Sequence, residues 1–526
     1  MRRLLFSGWR RFVRPLDNHG NVAMIAALAM GPICVAGLGA ADLARATSAK
    51  SQLQDALDAA ALAAARTNAT TDAQLKTHGD RYLGQNLNLG TDYRLAASNF
   101  RFGADGKIIA TATVSVKPFV AGLVTGGDMA INASTEVVRA DMKVEIALVL
   151  DTTGSMEEGD KLQDMKDAAE AFILKMKDVS DKHVQANAVK ISLVPFANTV
   201  RVDGVTYRNA TWVDQNGASP INDEIFTTAT GTQHANRFTL LTTLGATWRG
   251  CLEMRKAPYD VQDDAPTAAT PATLYTPYFA VDEPDSQTTG YGDDYNNDYV
   301  KDYSGGGNTS NNWRVRQGLV DKYGNTKRDT LTSSFGPNAG CGVSRIRRLT
   351  TSFSSLITWI DELEANGNTN IPIGLMWGWN TLTPHAPFSD GSAYNTPDTK
   401  KIIVLMTDGE NTMSQRDTPN DGTYAATGYI WQGRVLKANN TPLQQGAASA
   451  DRTAALDSRL EKLCDNIKAK GIEIYTIRVE VSTGTNELLK TCASGRDYFY
   501  DVQSSSTLTQ VFESVAGQIA ALHLSR

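Results

Sequence analysis

Residues 143 to 156, KVEIALVLDTTGSM, constrain the fold more than any other stretch of the chain. An almost wholly apolar run ends here in a short polar turn that carries an acid and three hydroxyls. A strand that is apolar on both faces is typical of a parallel sheet covered by helices, and the carboxyl ends of such strands border the ligand crevice. The pattern therefore predicts an α/β, doubly wound fold with a site at Asp151, Thr153 and Ser155.

Two later segments carry polar residues that we expect at the same edge of the sheet. Thr369 lies in GNTNIPIGL, a predicted turn between two helices, and Asp408 ends a second apolar strand in KIIVLMTDGEN. The spacing Asp-x-Thr-x-Ser projects three oxygen ligands from one loop, and hard cations such as Mg²⁺ prefer oxygen ligands. We expect a metal site there. We also expect Asp151→Ala to abolish metal binding and to leave the fold intact, because a strand end lies outside the core.

These five residues resemble the metal-ion-dependent adhesion site (MIDAS) of von Willebrand factor A (vWA) domains, in the family's order. The resemblance implies an Mg²⁺ or Mn²⁺ cofactor, with Thr153, Ser155 and Thr369 as direct or water-mediated ligands. It further implies that Asp151 and Asp408 orient waters and that a carboxylate of a protein partner fills the open position. Thr153 replaces the serine that is most common there and keeps the hydroxyl. A metal-free vWA scaffold is the alternative.

The amino-terminal segment predicts a membrane anchor. Residues 1 to 21 hold five arginines and one acid, and residues 22 to 41 hold no charge. Twenty helical residues span about 30 Å, the thickness of a hydrocarbon core, and arginines before a span keep that end in the cytoplasm. We therefore expect a single-pass protein whose carboxyl-terminal part lies outside the cytoplasm. The alternative is a cleaved signal peptide, because small residues at 37 to 41 could serve a peptidase.

Residues 42 to 66 predict a helical stalk, since the segment is rich in alanine and lacks Gly and Pro. Here residues 20 to 28 and 53 to 65 resemble the amino-terminal segment of TadE/TadG-like proteins of bacterial tight-adherence (Flp) pilus systems. This resemblance implies a pilus-assembly protein in the bacterial inner membrane, with its large domain in the periplasm or outside the cell.

The remaining chain predicts two further regions. Alternating residues at 107 to 117 and 129 to 138 indicate a small β-rich unit over 67 to 139. From 140 to 526, apolar strands alternate with helical patterns, as expected of one vWA domain. The domain is interrupted by a long insertion at about 199 to 343.

The insertion contains an acidic stretch, residues 282 to 302, with seven acids and one base. We predict a solvated acidic loop, because DDYNND lacks the glycine and glutamate of a calcium-binding EF-hand loop. The seven acids are Asp282, Glu283, Asp285, Asp293, Asp294, Asp298 and Asp302.

Four of the five cysteines fall in the part predicted to lie outside the cytoplasm, and none has metal-binding spacing. We expect two disulfides, Cys251 with Cys341 and Cys464 with Cys492, because each pair brackets a self-contained stretch in an oxidising compartment. Four cysteines allow three pairings.

The net charge and the absence of catalytic motifs narrow the range of functions that the sequence allows. The net charge of -6 argues against nucleic acid as a partner. The sequence carries no GxSxG, HExxH or P-loop motif, so we expect a binding protein and not an enzyme. The favoured function is a membrane-anchored pilus-assembly or adhesion protein that binds a pilus or envelope component through its metal. The alternatives are an anchored or secreted metal-dependent enzyme and a metal-independent, pilin-like structural anchor.

Overall fold

The chain folds into two compact units, Met1–Arg139 and Ala140–Arg526, in a computed structural model. The structure describes residues 19–67, 69, 71–88, 90, 93–103, 107–120, 122, 126–138, 142–181, 187–226, 235–285, 297–302, 312–327, 330–332, 334–480 and 486–524.

Unit 1 begins with one helix of 47 residues, α1 (His19–Ala65). Its first half presents apolar side chains outward, such as Ile25 at 66% and Leu28 at 72% exposure. Among the described residues, this is the one helix that is long and apolar enough to cross a membrane. The predicted span at residues 22 to 41 lies within it.

The second half of α1 is part of a core. Leu53, Leu57 and Ala60 are fully buried and pack with Ile108 and Val114 of a three-stranded antiparallel sheet. The sheet has the order β1-β2-β3, and a second helix completes the unit. The predicted stalk is therefore continuous with the apolar half of α1, as expected, but it packs against the β-rich unit. These elements are α2 (Asp72–Asn86), β1 (Tyr93–Phe102), β2 (Lys107–Val116) and β3 (Met129–Val138).

Unit 2 is built on a six-stranded sheet flanked by helices. Its elements, in chain order, are β4 (Lys143–Asp151), α3 (Lys161–Asp181), β5 (Val189–Phe196), β6 (Val200–Arg201), α4 (Arg237–Thr243), β7 (Cys251–Leu252), α5 (Trp313–Gln317), β8 (Arg347–Thr350), α6 (Phe353–Asp361), α7 (Ile371–Leu382), β9 (Thr399–Thr407), α8 (Ser449–Ala469), β10 (Glu473–Val479), α9 (Asn486–Cys492), β11 (Phe499–Val502) and α10 (Leu508–Leu524).

The sheet has the order β11-β10-β9-β4-β5-β8. All neighbours are parallel except the edge strand β8, which is antiparallel to β5. If the six strands are numbered 1 to 6 in chain order, starting at β4, and the sheet is read from β8, the order is 3-2-1-4-5-6. This is the strand order of doubly wound sheets. The predicted fold class is confirmed.

Residues of β4 alternate between the two faces of the sheet, as the period of a strand requires. Ile146, Leu148 and Leu150 pack on the side of α3, α6 and α10, whereas Ala147 and Val149 pack on the side of α7 and α8. Helix α7 lies so close to β4 that a Cβ at Gly378 would overlap the Val149 side chain. Both faces of β4 are thus covered, which explains its apolar sequence.

The insertion between β5 and β8 is largely packed into the domain. Its aromatic side chains join the core on the α7 side, where Trp212 lies 6.0 Å from Trp377, ring centre to ring centre. Cys251 forms a disulfide with Cys341, and Cys464 forms a disulfide with Cys492, as predicted.

The burial of the acidic stretch differs from the prediction made from the sequence. Asp282, Glu283 and Asp302 are buried. Lys322 Nζ lies 2.8 Å from Asp282 Oδ2 and 3.2 Å from Asp302 Oδ1, and Arg316 Nη1 lies 2.6 Å from Asp302 Oδ2. The prediction of a solvated loop is wrong for these acids, because Arg316 and Lys322, from a later part of the insertion, fold back onto Asp282 and Asp302. Glu283 instead accepts hydrogen bonds from Asn420 Nδ2 and Tyr429 OH. Asp293 and Asp294 lie outside the described residues.

Candidate functional site

The turn after β4 is the base of the candidate site. Residues Gly154–Glu157 form one 3-10 turn, and Gly154 N donates to Gly367 O over 2.9 Å. This bond joins the turn to the segment before α7, where Asn370 caps the helix and Pro372 occupies its first turn. Two distant parts of the sequence therefore meet at the carboxyl edge of the sheet.

Asp151 is fully buried and holds the turn in place. Its Oδ1 accepts hydrogen bonds from Thr153 N at 2.9 Å and Thr153 Oγ1 at 2.6 Å, and its Oδ2 accepts one from Thr407 Oγ1 at 2.6 Å. The expectation that Asp151 lies outside the core is wrong. Its removal would break three buried hydrogen bonds, so we expect Asp151→Ala to destabilise the fold.

The hydroxyl of Ser155 links the two strand ends. It donates to Asp408 Oδ1 over 2.7 Å and lies 3.1 Å from Thr153 Oγ1. With the Thr153 to Asp151 bond, this makes a continuous chain of oxygens from the end of β4 to the end of β9. Four of the five predicted residues are thus in direct contact.

Thr369 faces the same space from the third segment. The side chain is 5% exposed, and the backbone is fixed by Thr412, whose Oγ1 accepts from Thr369 N and whose N donates to Thr369 O. Gly409 lies beside both hydroxyls, because a Cβ atom placed on Gly409 would be 3.5 Å from Thr369 Oγ1 and 3.9 Å from Ser155 Oγ. Within the part of the chain that the structure describes, Thr369 Oγ1 has no hydrogen-bond partner.

Lys161 belongs to the site and was missed from the sequence. Its Nζ lies 3.1 Å from Asp408 Oδ2 and 3.5 Å from Ser155 O, and its side chain is 11% exposed. Burial alone would lower the pKa of Lys161, but Asp408 and Glu158 outweigh burial and raise it, so the ammonium remains charged. The available signal was its place in the first turn of the helix that follows the DTTGSM turn.

The two carboxylates of the site repel each other. Burial and the negative charge of Asp408 raise the pKa of Asp151 to about 6, although hydrogen bonds from Thr153 and Thr407 oppose the rise. Lys161 contacts Asp408 and makes no contact with Asp151. Among its buried groups, the site therefore holds two carboxylates and one ammonium, one positive charge short of balance, and the second partner of Lys161, Glu158, is 78% exposed.

This donor set fits a hard cation. All five predicted side chains offer oxygen, and three of them are neutral hydroxyls. No group of three or more His, Cys, Asp or Glu that could hold a metal occurs among the described residues. A metal at this edge would accordingly depend on the hydroxyls of Thr153, Ser155 and Thr369.

A cavity of ≈ 290 Å³ adjoins the Thr369 segment. Gly367 and Asn368 line it on one side, and the insertion contributes residues that include Asn297 and Gly340. Polar and apolar surface line the cavity in about equal parts, and Tyr424 borders it. The insertion therefore forms one wall of a recess beside the candidate metal site.

A comparison with known families gives one match. The family described as "Putative Flp pilus-assembly TadE/G-like" matches residues 20–67. This confirms the resemblance predicted for the amino-terminal segment. No curated protein matches the chain.

Several solved structures are similar to the chain at low identity. The pilus adhesin SpaC from Lactobacillus rhamnosus GG is 12% identical with a TM-score of 0.31, covering 82% of this chain and 36% of that chain. The vWF domain of the type V pili tip protein Mfa5 from Porphyromonas gingivalis is 11% identical with a TM-score of 0.34, covering 73% and 97%. The pilus adhesin RrgA from Streptococcus pneumoniae is 12% identical with a TM-score of 0.32, covering 80% and 49%. The chain spans about a third of the length of SpaC and half that of RrgA.

Proposed function

We propose that the chain is a pilus-assembly or adhesion protein that α1 anchors in the bacterial inner membrane. The sheet domain of unit 2 then lies outside the cytoplasm and binds a protein partner, a pilus or envelope component, through a divalent metal. The match of residues 20–67 supports the pilus system. The observation that carries the binding role is the chain of oxygens from Asp151 through Thr153 and Ser155 to Asp408.

Each side chain has a separate task in this proposal. Thr153, Ser155 and Thr369 are the candidate ligands, because their hydroxyl oxygens face one space. Asp151 and Asp408 accept the hydroxyl protons of Thr153 and Ser155, so that the oxygen lone pairs of both hydroxyls remain available. Bound Mg²⁺ or Mn²⁺ would supply an open coordination position for an anionic oxygen.

Lys161 gives the site a preference for an acidic partner. With a divalent ion bound, two positive charges and the Lys161 ammonium would face the buried carboxylates of Asp151 and Asp408. Glu158, 3.5 Å from Lys161, is 78% exposed and screened by water, so the buried part of the site would carry one uncompensated positive charge. A carboxylate of the partner restores the balance. The partner's acidic side chain is therefore part of the proposal and follows from the charges of the site.

Calorimetry tests metal binding on the full chain in detergent micelles. Titration with MgCl₂ or MnCl₂ is expected to show one site, which Asp408→Asn abolishes. Thr369→Ala should weaken binding less, because water can replace one neutral ligand. The matched control is Ser352→Ala, which removes an exposed hydroxyl that contacts only Ser355. The absence of binding by the unaltered chain would refute the metal-dependent mechanism.

A metal-independent structural anchor is the second candidate, and Lys161 is the observation that favours it. The ammonium already neutralises Asp408, so the site holds an internal cation. Under this alternative, EDTA leaves partner binding unchanged and Ser155→Ala has no effect on it. Under the metal-dependent proposal, both treatments reduce partner binding.

The membrane topology is tested separately. The two disulfides of unit 2 support an oxidising compartment. Protease added to spheroplasts should degrade unit 2 and spare the amino-terminal segment, and the full-length chain should fractionate with membranes. A soluble mature form that begins after about residue 41 would identify a signal peptide in place of the anchor.

A further inference from the structure

One buried acid, Asp42, connects α1 to the loop after β2 at the end of the apolar half of the helix. Asp42 is 2% exposed. Its Oδ1 accepts a hydrogen bond from Phe119 N at 2.7 Å, and its Oδ2 accepts one from Val120 N at 2.9 Å. The loop after β2 is therefore attached to α1 one residue beyond the predicted span.

Phe119 projects outward from this attachment. Its side chain is 60% exposed, and it is the one exposed phenylalanine among the residues that the structure describes. Leu43, on α1 beside Asp42, is 69% exposed. Water would meet two large apolar side chains here, directly next to a helix segment that is itself apolar and exposed.

Two cations lie near Phe119, one over its ring and one close to it in sequence. The Arg45 guanidinium lies 4.4 Å from the centre of the Phe119 ring, and Arg45 Nη1 donates to Lys117 O over 3.2 Å. Lys117 is exposed two residues before Phe119. An aromatic ring flanked by Arg and Lys suits the headgroup layer, where rings meet the acyl boundary and cations meet lipid phosphates.

The charge of Asp42 does not oppose this placement. A carboxylate at a membrane surface is costly when it is exposed to lipid, but both oxygens of Asp42 accept N–H bonds within the protein. The attachment thus removes an acid from the lipid surface and leaves Lys117 exposed and Arg45 half-buried beside the Phe119 ring.

We propose that Phe119, Leu43, Arg45 and Lys117 form a lipid-contact surface that seats unit 1 in the headgroup layer of the bilayer. This inference rests on α1 as the membrane anchor. The headgroup layer is about 5 to 7 Å deep on each side of the hydrocarbon core, and Asp42 lies about 1.5 Å along the helix axis from the end of the span. The backbone of Phe119, bonded to Asp42, falls within that layer.

Site-specific fluorescence quenching tests the surface on the full chain in phosphatidylcholine and phosphatidylglycerol vesicles. The starting chain carries Cys34→Ser, which removes the one free cysteine among the described residues. The probe is an NBD label on Phe119→Cys, and two quenchers are used: a lipid with a nitroxide near its headgroup, and a lipid with a nitroxide on its acyl chain, which reports on labels inside the span. Lys117→Cys, on the same exposed loop, is a second labelling site.

Two positions on α1 calibrate the result. Met30→Cys lies in the span, and Leu62→Cys lies about 30 Å beyond Asp42 along the same helix. Both native side chains are exposed, at 60% and 53%. We expect quenching at Phe119→Cys and Lys117→Cys to be several-fold stronger than at Leu62→Cys.

Quenching at Phe119→Cys no stronger than at Leu62→Cys, with Met30→Cys quenched in the bilayer, would overturn the lipid-contact surface and leave the anchor intact. If Met30→Cys were also not quenched, the anchor itself would fail and this inference with it. The two failures are therefore distinguishable.

Discussion

Glu253 connects the insertion to the loop that follows β9, and its replacement tests whether the insertion is a structural part of the domain. The side chain is fully buried. Glu253 Oε1 pairs with Arg237 Nη1 and accepts a bond from Tyr424 OH at 2.5 Å, and Glu253 Oε2 lies 2.5 Å from Arg434 Nη1. Glu253→Gln removes the charge and preserves the shape.

The expected cost follows from the partners that remain. Arg434 keeps an ion pair with Glu224, at 2.8 Å, whereas Arg237 has no second carboxylate within the described residues. Both guanidinium groups are 2% exposed. Loss of one partner of a buried ion pair costs about 3–5 kcal/mol, because a charge is left buried without compensation. We expect Glu253→Gln to lower the unfolding free energy of unit 2 by that amount.

Tryptophan fluorescence during urea unfolding measures this change on the full chain in detergent. Seven of the eight tryptophans lie in unit 2, at positions 212, 248, 313, 359, 377, 379 and 431, so the signal reports on this unit. Limited proteolysis gives a second reading, since a loosened insertion is expected to be cut first within residues 199 to 343.

Glu362→Gln is the matched control. It removes a carboxylate that is 61% exposed and 3.4 Å from Arg347. Exposed pairs contribute less than about 1 kcal/mol, so the unfolding midpoint should hardly move. Equal effects of the two variants, or a Glu253→Gln chain as stable as the unaltered one, would refute the conclusion that the insertion is anchored by buried charges.

Three further changes have defined outcomes. The double variant Cys251→Ser, Cys341→Ser opens a loop whose ends are 90 residues apart. We expect the unfolding free energy, measured by the same urea unfolding, to fall by about 4–5 kcal/mol through loop-closure entropy, and an unchanged value would contradict this. His385 Nε2 lies 3.6 Å from Asp263 Oδ2, and this carboxylate raises the His385 pKa above its ordinary value of 6.5. The resulting contribution to stability is present below about pH 6.5 and is lost as pH rises through the folded pKa, so the decline in unfolding free energy should be smaller in His385→Gln. Lys161→Met removes a like charge from the metal site and should raise Mg²⁺ affinity by about tenfold in calorimetry; unchanged or weaker affinity would argue against a metal beside Lys161.

The sheet and the grouping of Asp151, Thr153, Ser155 and Asp408 at one edge could be predicted from the sequence because both depend on local patterns. The apolar run of β4 indicates a strand covered on both faces, and the alternation in β2 indicates a strand covered on one face. In addition, β4 and β9 are each completed by an acid at the same edge of a parallel sheet. Once the fold class was inferred, Asp151 and Asp408 had to lie near each other. In the structure, Thr153 and Ser155 join them through hydrogen bonds.

The features that were missed depend on partners distant in sequence. An acidic stretch is usually solvated, and nothing near Asp282 indicates that Lys322 will fold back onto it. The burial of Asp151 comes in part from Thr407, across the sheet. Lys161 has an ordinary position on a helix, and only the three-dimensional structure directs its ammonium to Asp408.

The position of β4 at the centre of the sheet determines the order in which the domain can assemble. Glu145 of β4 pairs in register with Lys401 of β9, which is 256 residues later in the chain. While the chain is being synthesised and exported, β4 can pair with β5, but its other edge stays open until β9 arrives. An open edge on an apolar strand favours association between chains, and long-range parallel pairing is slow. Under the proposed topology, export of this domain creates a period in which a periplasmic chaperone that covers the β4 edge would improve its yield.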